Sequence, residues 1–451
     1  MLLYEDAIEN YGNRKIPKQS TRLQQEMRGP KRRVVTTQDA RLMAQGDIAM
    51  CTPDSISGKA VLVTAHVAGL IDMVALPLWI GALIQYYHYS PEQAGLTVTI
   101  FLFAALLASL FVAPRFNRLP KRLAAAGGYG LGALAFFLIG QQPLENSNPQ
   151  LIMLFHALGG LGVGCALSFA HGAMGRSANP HRLFGTAHFA LGVFALTFLS
   201  LVPQAIQQVS PTMLFKIIAA GMFIASIMMA IGFPYVADDT PARQSGRNSS
   251  RAKIPPAAWF IIGVVMCMQL NQAMVFSFVE RVGADHGFGI SGVNAALIAL
   301  GFVNLFPGGL AALLQNRLSP ILVGVAGPLG QAILALIIFN STDYLPYAVA
   351  ASLFVAMAIF THVFLFGLLA RLDTSGRAVA ATPAMLMVGS CIGPALGGSI
   401  VQGIGYPGLG WAACVITGIA IVSILLVRHH MLRATTVAPA TPQILTESII
   451  E

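Results

Sequence analysis

Gly58-Lys-Ala-Val-Leu-Val-Thr-Ala-His66-Val-Ala-Gly-Leu-Ile-Asp72-Met-Val-Ala-Leu-Pro-Leu-Trp79-Ile-Gly-Ala-Leu-Ile-Gln-Tyr-Tyr87 is the stretch that decides the fold. It is apolar over more than the roughly 20 residues a helix needs to cross a hydrocarbon core, and Asp72 is the only carboxylate in it. A charge at that depth costs about 3 kcal/mol or more, so it faces protein or water rather than lipid and marks a transport pathway.

The rest of the chain repeats the pattern. Apolar residues make up 55% of the sequence and charged residues 10%, too few to solvate the surface of a soluble enzyme. Twelve apolar segments are long enough to span: 59–86, 93–113, 122–141, 150–174, 183–205, 212–236, 257–280, 290–314, 319–340, 345–370, 378–402 and 407–428. They must be helices, because lipid offers no partner to an unpaired amide and the segments lack the alternation of barrel strands. The expectation is an all-α polytopic membrane protein with 12 transmembrane helices.

Lys and Arg set the orientation. They crowd into the first 59 positions and into 115–122, 176–182, 243–253, 371–377 and 428–433, with Arg317 between, leaving Lys216 and Arg281 near the opposite side. Both termini are therefore expected in the cytoplasm, at a bacterial inner membrane, and the net charge of +9 reads as a topology signal. No base-reading motif accompanies the charge, so no nucleic-acid partner is expected. The partners expected are a small-molecule substrate and the bilayer, with the chain acting as a monomer. The first 57 residues read as a disordered basic tail in which Lys31-Arg32-Arg33 could touch anionic lipid or only reinforce orientation; alternatively, translation starts at Met43 or Met50. Residues 58–236 and 257–430 form two six-helix bundles, 237–256 a polar linker and 431–451 a second tail. The five cysteines show no metal or redox spacing, and neither a cofactor nor a metal is expected.

A 6+6 plan invites a search for internal repeats. After the second segment comes Ser109-Leu-Phe-Val-Ala-Pro-Arg115-Phe-Asn-Arg118-Leu-Pro-Lys121-Arg122, and after the eighth Gly308-Gly309-Leu-Ala-Ala-Leu-Leu-Gln315-Asn-Arg317-Leu-Ser-Pro320. With Arg176-Ser-Ala-Asn-Pro180-His-Arg182, Asp373-Thr-Ser-Gly376-Arg377 and Gly389-Ser-Cys-Ile-Gly393-Pro394-Ala-Leu-Gly397-Gly398, the chain resembles bacterial members of the major facilitator superfamily over about 58–430. The resemblance implies two pseudo-symmetric bundles, a central cavity lined by helices 1, 4, 7 and 10, and a gating role for Arg115, Arg118, Arg122 and Arg317. Where that family places an Asp in the loop after helix two, this chain has Ala113 or Pro114.

Polar residues within the segments gather on the same four helices. His66, Asp72 and Trp79 lie on the first, His156 and His171 on the fourth, Gln269, Asn271, Gln272 and Glu280 on the seventh, and Thr361 and His362 on the tenth. Asp72 and Trp79 are seven residues apart and share a face, while Gln269, Gln272, Phe276 and Glu280 form one stripe. Asp72, Glu280 and His66 are the candidates for proton coupling, because carboxyl and imidazole groups can exchange protons near physiological pH. Glu280 beside Arg281 could equally form a surface ion pair. Trp79, His156, Gln269, Gln272, Phe276, Thr361 and His362 are the candidates for substrate binding, and Asn271 points elsewhere, towards a helix-packing bond. His171 and His188, nearer the cytoplasm, suit a gate or a loop contact. The glycine stripes Gly389, Gly393, Gly397 and Gly160, Gly164 suit close packing or sliding.

No Arg or Lys lies near any midplane, which disfavours a multiply anionic substrate. The chain lacks a Gly-x-x-x-x-Gly-Lys-Ser/Thr loop, so the proton gradient rather than ATP is the expected energy source. The function expected is proton-coupled secondary transport of a neutral or cationic small organic solute by alternating access, with export preferred. The alternatives are an importer (symporter or uniporter), a non-transporting sensor, and a membrane enzyme acting on lipids, for which no acid–base or metal set is present.

Overall fold

The computed structural model describes residues 51–236, 254–373, 378 and 382–437. The tail with Lys31-Arg32-Arg33, Met43 and Met50, most of the 237–256 linker with its basic residues, Gly376, Arg377 and the tail beyond 437 lie outside the described residues. The description below concerns the unit from Cys51 onward.

Twelve helices, each long and apolar enough to span a membrane, follow one another among the described residues: α1 (Ile56–Gln85), α2 (Pro91–Val112), α3 (Lys121–Ile139), α4 (Pro149–Met174), α5 (Pro180–Gln208), α6 (Met213–Gly232), α7 (Pro256–Asp285), α8 (Gly289–Leu314), α9 (Pro320–Asn340), α10 (Tyr344–Leu372), α11 (Thr382–Ile404) and α12 (Pro407–Val437). Local chemistry starts them where the sequence changes character. Proline, whose missing N–H costs nothing in a first turn, opens α2, α4, α5, α7, α9 and α12. Ser90 and Gln93 form a reciprocal capping box on α2, and Asn148 and Asn179 cap α4 and α5.

Two helices are broken. α8 stops at Val303 and restarts at Pro307, which has no N–H to continue the ladder. α1 breaks at Leu70 (φ −115°, ψ 19°), giving a first half Ile56–Gly69 and a second half Ile71–Gln85. Near that break the Tyr129 hydroxyl on α3 donates to the Ala65 carbonyl at 2.5 Å, a donor inserted into the helix's own ladder.

With an even number of spans, α1 begins on the face where α12 ends, here termed the terminal face; the opposite one is the far face. Within the N-terminal bundle α4 packs on α2 and α3, and α3 on α6; within the C-terminal bundle α7 packs on α11 and α12, and α9 on α10 and α12. The bundles meet along α2–α11, α5–α8 and the second half of α1 against α7. The shares of each span buried in protein rank α1, α7, α10 and α4 highest, at 72%, 61%, 56% and 50%, against 28% for α5 and α8. The helices that carry the polar side chains are thus the interior ones, and α5 and α8 present apolar groups such as Phe189 and Phe302 outward.

The glycine stripes serve packing inside each bundle. Gly160 and Gly164 lie against the Phe101 and Ala105 carbonyls of α2, and Gly389 and Gly393 against α7 at Leu270 and Met274. Close approaches between bundles use other glycines. A methyl at Gly95 would overlap the Pro394 carbonyl, and one at Gly398 the Pro91 carbonyl, both where α2 and α11 cross in their far halves.

Candidate functional site

The seam between α1 and α7 carries the most unusual acid. Glu280 points its carboxylate at Gly81, so closely that any side chain there would overlap Oε2. That oxygen is buried and has no hydrogen-bond partner. The adjacent Arg281, the expected counter-ion, instead pairs with Asp285 at 2.6 Å. Asp285 also accepts from the Tyr406 hydroxyl at 2.8 Å. Burial and the Asp285 contact push the Tyr406 phenol above its ordinary range, which keeps it a donor. The surface ion pair weighed for Glu280 is therefore made by Asp285, and Glu280 is left at the bundle interface. A cavity of about 290 Å³ lined by Gln85, Glu280, Arg281, Asp285 and Asn294 adjoins it.

Asp72 sits in the first turn of the second half of α1, just past the break, and is partly buried. Backbone amides of Asp72 and Met73 face its carboxylate, and a helix N-terminus adds partial positive charge. The break thus gives the acid a local solvation that an unbroken helix lacks.

Trp79 and His156, expected on a pocket wall, are closed inside the N-terminal bundle, each 0% exposed. The indole Nε1 donates to His156 Nε2 at 3.0 Å, and His156 Nδ1 donates to the Ile152 carbonyl at 2.7 Å. With Nε2 accepting and Nδ1 donating, the ring is a neutral imidazole with both nitrogens engaged. Phe101, Phe136 and Phe215 pack around Trp79. Trp79 is thus turned into this bundle rather than across the seam.

His66 is fully buried in the first half of α1, and its Nδ1 lies 3.0 Å from His171 Nε2 on α4. His188 on α5 completes the group, its ring 4.6 Å from that of His66. The sequence held a clue to this gathering, since α1, α4 and α5 each carry a histidine in the half nearer the terminal face, but nothing along the chain brings three helices together.

In the C-terminal bundle, Gln269 donates from Nε2 to Ser390 Oγ on α11 at 2.8 Å, and Gln272 and Phe276 are buried beside it on α7. Asn271 makes the packing bonds expected of it, to the Ala413 carbonyl and Thr417 Oγ1, both at 3.2 Å. Thr361, a candidate for substrate binding, donates to Met357 O and presses on Gly327 of α9, so it works in helix packing here. His362 stacks on Phe366, and its buried Nε2 has no partner. The sequence reading passed over Gln331 on α9, whose two amide atoms are also buried and unpartnered.

On the terminal face the loop arginines mostly bind carbonyls. Arg115 donates to Phe111 O at 3.0 Å, and Arg122 to Ala230 O at 2.5 Å, tying α3 to α6. Arg118 and Arg317 close the turns after α2 and α8 through their backbone amides. In place of the missing acid, Asn117 accepts from Arg176 at 3.1 Å, and the Arg176 guanidinium covers the Phe116 ring at 4.2 Å. Residues ahead of α1, expected in the tail, are fixed too: the Asp54 carboxylate accepts from Ala178 N at 3.0 Å, and Tyr235 N donates to Cys51 O at 2.6 Å. Among the described residues no group of three His, Cys, Asp or Glu has metal-holding geometry.

The sequence profile of the Major Facilitator Superfamily matches residues 61–375. Among solved structures, a D-xylose-proton symporter is similar at TM-score 0.64 and 14% identity, covering 82% of this chain and 96% of that one. The nucleoside transporter NupG is similar at TM-score 0.61 and 13% identity, covering 83% and 98%. No curated protein sequence matches the chain.

Proposed function

The chain belongs to the Major Facilitator Superfamily, and we propose that it is a proton-coupled secondary transporter of a neutral or cationic small organic solute, working by alternating access. The observation that carries this reading is Glu280, an acid with a buried, unpartnered oxygen where α1 and α7 meet. A charge held there without a donor is costly, and a bound proton removes that cost. Rocking the bundles apart along this seam would return the carboxyl to water and let the proton leave. Proton occupancy and the closed far side are in that way linked, which is what coupling requires. Asp72, solvated by a helix N-terminus, is the second coupling group.

The solute class follows from the interior. Amides and an imidazole (Gln269, Gln272, His362), with Phe276 and Phe366 beside them, suit hydroxyl or amine groups on an apolar frame, and no Arg or Lys is near to hold a multiply charged anion. D-xylose and nucleosides, carried by the two similar transporters, are of this chemical kind. The excess of Lys and Arg on the terminal face supports cytoplasmic termini in a bacterial inner membrane, which puts the close α2–α11 contacts in the half away from the cytoplasm. Export remains the preferred direction.

A thermal-shift screen of pentoses, nucleosides and organic cations would identify a ligand, and liposomes carrying the purified protein with an imposed pH gradient would then measure its flux. Gradient-driven accumulation that disappears in Glu280→Gln while ligand binding persists is the expected result. Counterflow without any response to the gradient in the wild type would make the protein a uniporter. Binding with no counterflow would make it a sensor.

A further inference from the structure

The coupling reading leaves unused the three histidines at the terminal end of the N-terminal bundle. His66, His171 and His188 come from α1, α4 and α5, and their rings form one contiguous group edged by Phe184. The close contact is a single hydrogen bond between imidazole nitrogens, His66 Nδ1 to His171 Nε2 at 3.0 Å. His66 Nε2 is buried without a partner. His188 is exposed, and its Nδ1 donates to the Phe184 carbonyl at 2.9 Å, leaving Nε2 directed away from that bond.

A bond between two imidazoles needs one nitrogen with a hydrogen and one without. With both rings neutral the requirement is met. One added proton can still be shared between them, although His66 Nε2–H then has no acceptor. When both rings are protonated, two N–H groups face each other and the attraction becomes repulsion, with His188 adding a third like charge at ring contact. Among the described residues no carboxylate bonds to these rings. The titratable groups acting on His66 are His171 and His188. On α1 itself Lys59 is exposed, on α5 Arg182 is exposed, and the only ionisable residue of α6, Lys216, lies at its far end. Added positive charge on the cluster is therefore opposed, not offset, by these described neighbours.

We propose that His66, His171 and His188 form a pH-sensitive clasp that holds the first half of α1 against α4 and α5 at neutral pH and releases it when the cluster takes up protons. The release is poised to occur because α1 is already interrupted at Leu70. The first half can therefore move without dragging the second half, which carries Asp72 and packs on Glu280. Protons reach the cluster through His188 and act on the terminal half alone. The clasp is a regulator separate from the coupling acids, and it stands whether or not Glu280 couples transport.

Hydrogen exchange of the full-length protein in detergent, corrected for intrinsic rates, tests this at about pH 7.5 and about pH 5.5. The expected result is about tenfold faster exchange at pH 5.5 for amides between Val63 and Leu70, with the second half of α1 unchanged. A His66→Gln, His171→Gln double variant keeps a hydrogen-bonded pair that does not titrate, and its exchange should be equally slow at both values. Should that variant fail to fold, His188→Gln leaves the pair intact and should reduce the acid response. Equal protection of the first half at both pH values in the wild type overturns the proposal. So does an acid response that survives in both the double variant and His188→Gln.

Discussion

The two bundles differ in how much of their buried polarity is closed, although His66 Nε2 in the first also lacks a partner. In the N-terminal bundle most polar groups close on one another: Trp79 on His156, His156 on Ile152 O, Tyr129 on Ala65 O. In the C-terminal bundle polar atoms remain buried without partners, including Glu280 Oε2, His362 Nε2, Asn271 Oδ1 and both amide atoms of Gln331. An unpaired buried polar atom costs about 1–3 kcal/mol, so a set of them persists where something else is gained. The difference teaches that polarity inside a membrane bundle is of two kinds. Closed pairs specify the packing of one half, and open groups in the other are available to a proton, water or a solute.

Replacing Trp79 with Ala is the harshest test of that division. If the indole is scaffold, Trp79→Ala loses about 3–5 kcal/mol of stability, read as a collapse in the thermal melt of the purified protein, while Trp79→Phe loses much less. A Trp79→Ala protein that melts normally but no longer binds solute would move the indole to the transport path and erase the contrast.

Glu280→Gln probes the open side. Removing the ionisable group at the seam should lower gradient-driven flux about a hundredfold, roughly 2.7 kcal/mol, without lowering the melting temperature. Flux that keeps its full dependence on the gradient would leave Asp72 to carry the coupling. The comparison would then have the bundles the wrong way round.

How far this division could be read from the sequence differs from residue to residue. The spans themselves were legible, since lipid permits few alternatives: the segment expected at 150–174 is Pro149–Met174, and that at 319–340 is Pro320–Asn340. Concentration of polar side chains on four helices was legible too, and those helices are the most buried. Spacing put Trp79 on a face with Asp72, but a helix has no knowledge of its neighbours, and only packing decides that the indole meets Phe101, Phe136 and His156. The same limit hid the meeting of Glu280 with Gly81 and of the three histidines. Arg281 looked like the partner of Glu280 by adjacency, yet i to i+4 spacing on a helix favours Asp285. Thr361 read as a pocket group because its hydroxyl is polar. Its bond to Met357 O satisfies that hydroxyl locally, a habit of Thr in helices that composition does not reveal.

A gentler perturbation concerns Gln331. Gln331→Met removes two unpartnered atoms at nearly constant volume and should be neutral or raise stability by about 1 kcal/mol, measured by thermal melting. Lower stability would mean that a buried water already satisfies the amide, which would bring Gln331 into line with the closed pairs of the other bundle.

The smallest effect on folding is expected where glycine separates motion from packing. Gly160 presses on the Phe101 carbonyl inside one bundle, whereas Gly95 presses on the Pro394 carbonyl of the other. A methyl at Gly160 has nowhere to go without prising α4 from α2, so Gly160→Ala should cost about 1–3 kcal/mol of stability. At Gly95 the same methyl can be accommodated by parting the bundles at their far ends, the movement that the proposed alternating access calls for. Gly95→Ala should therefore melt within about 0.5 kcal/mol of the wild type yet favour the arrangement open at the far face. Labelling of a cysteine placed at Gln85, in the cavity beside Glu280, would report the shift as faster modification. If Gly95→Ala instead destabilises as much as Gly160→Ala and leaves labelling unchanged, the α2–α11 contact is fixed scaffold, and the bundles hinge somewhere else.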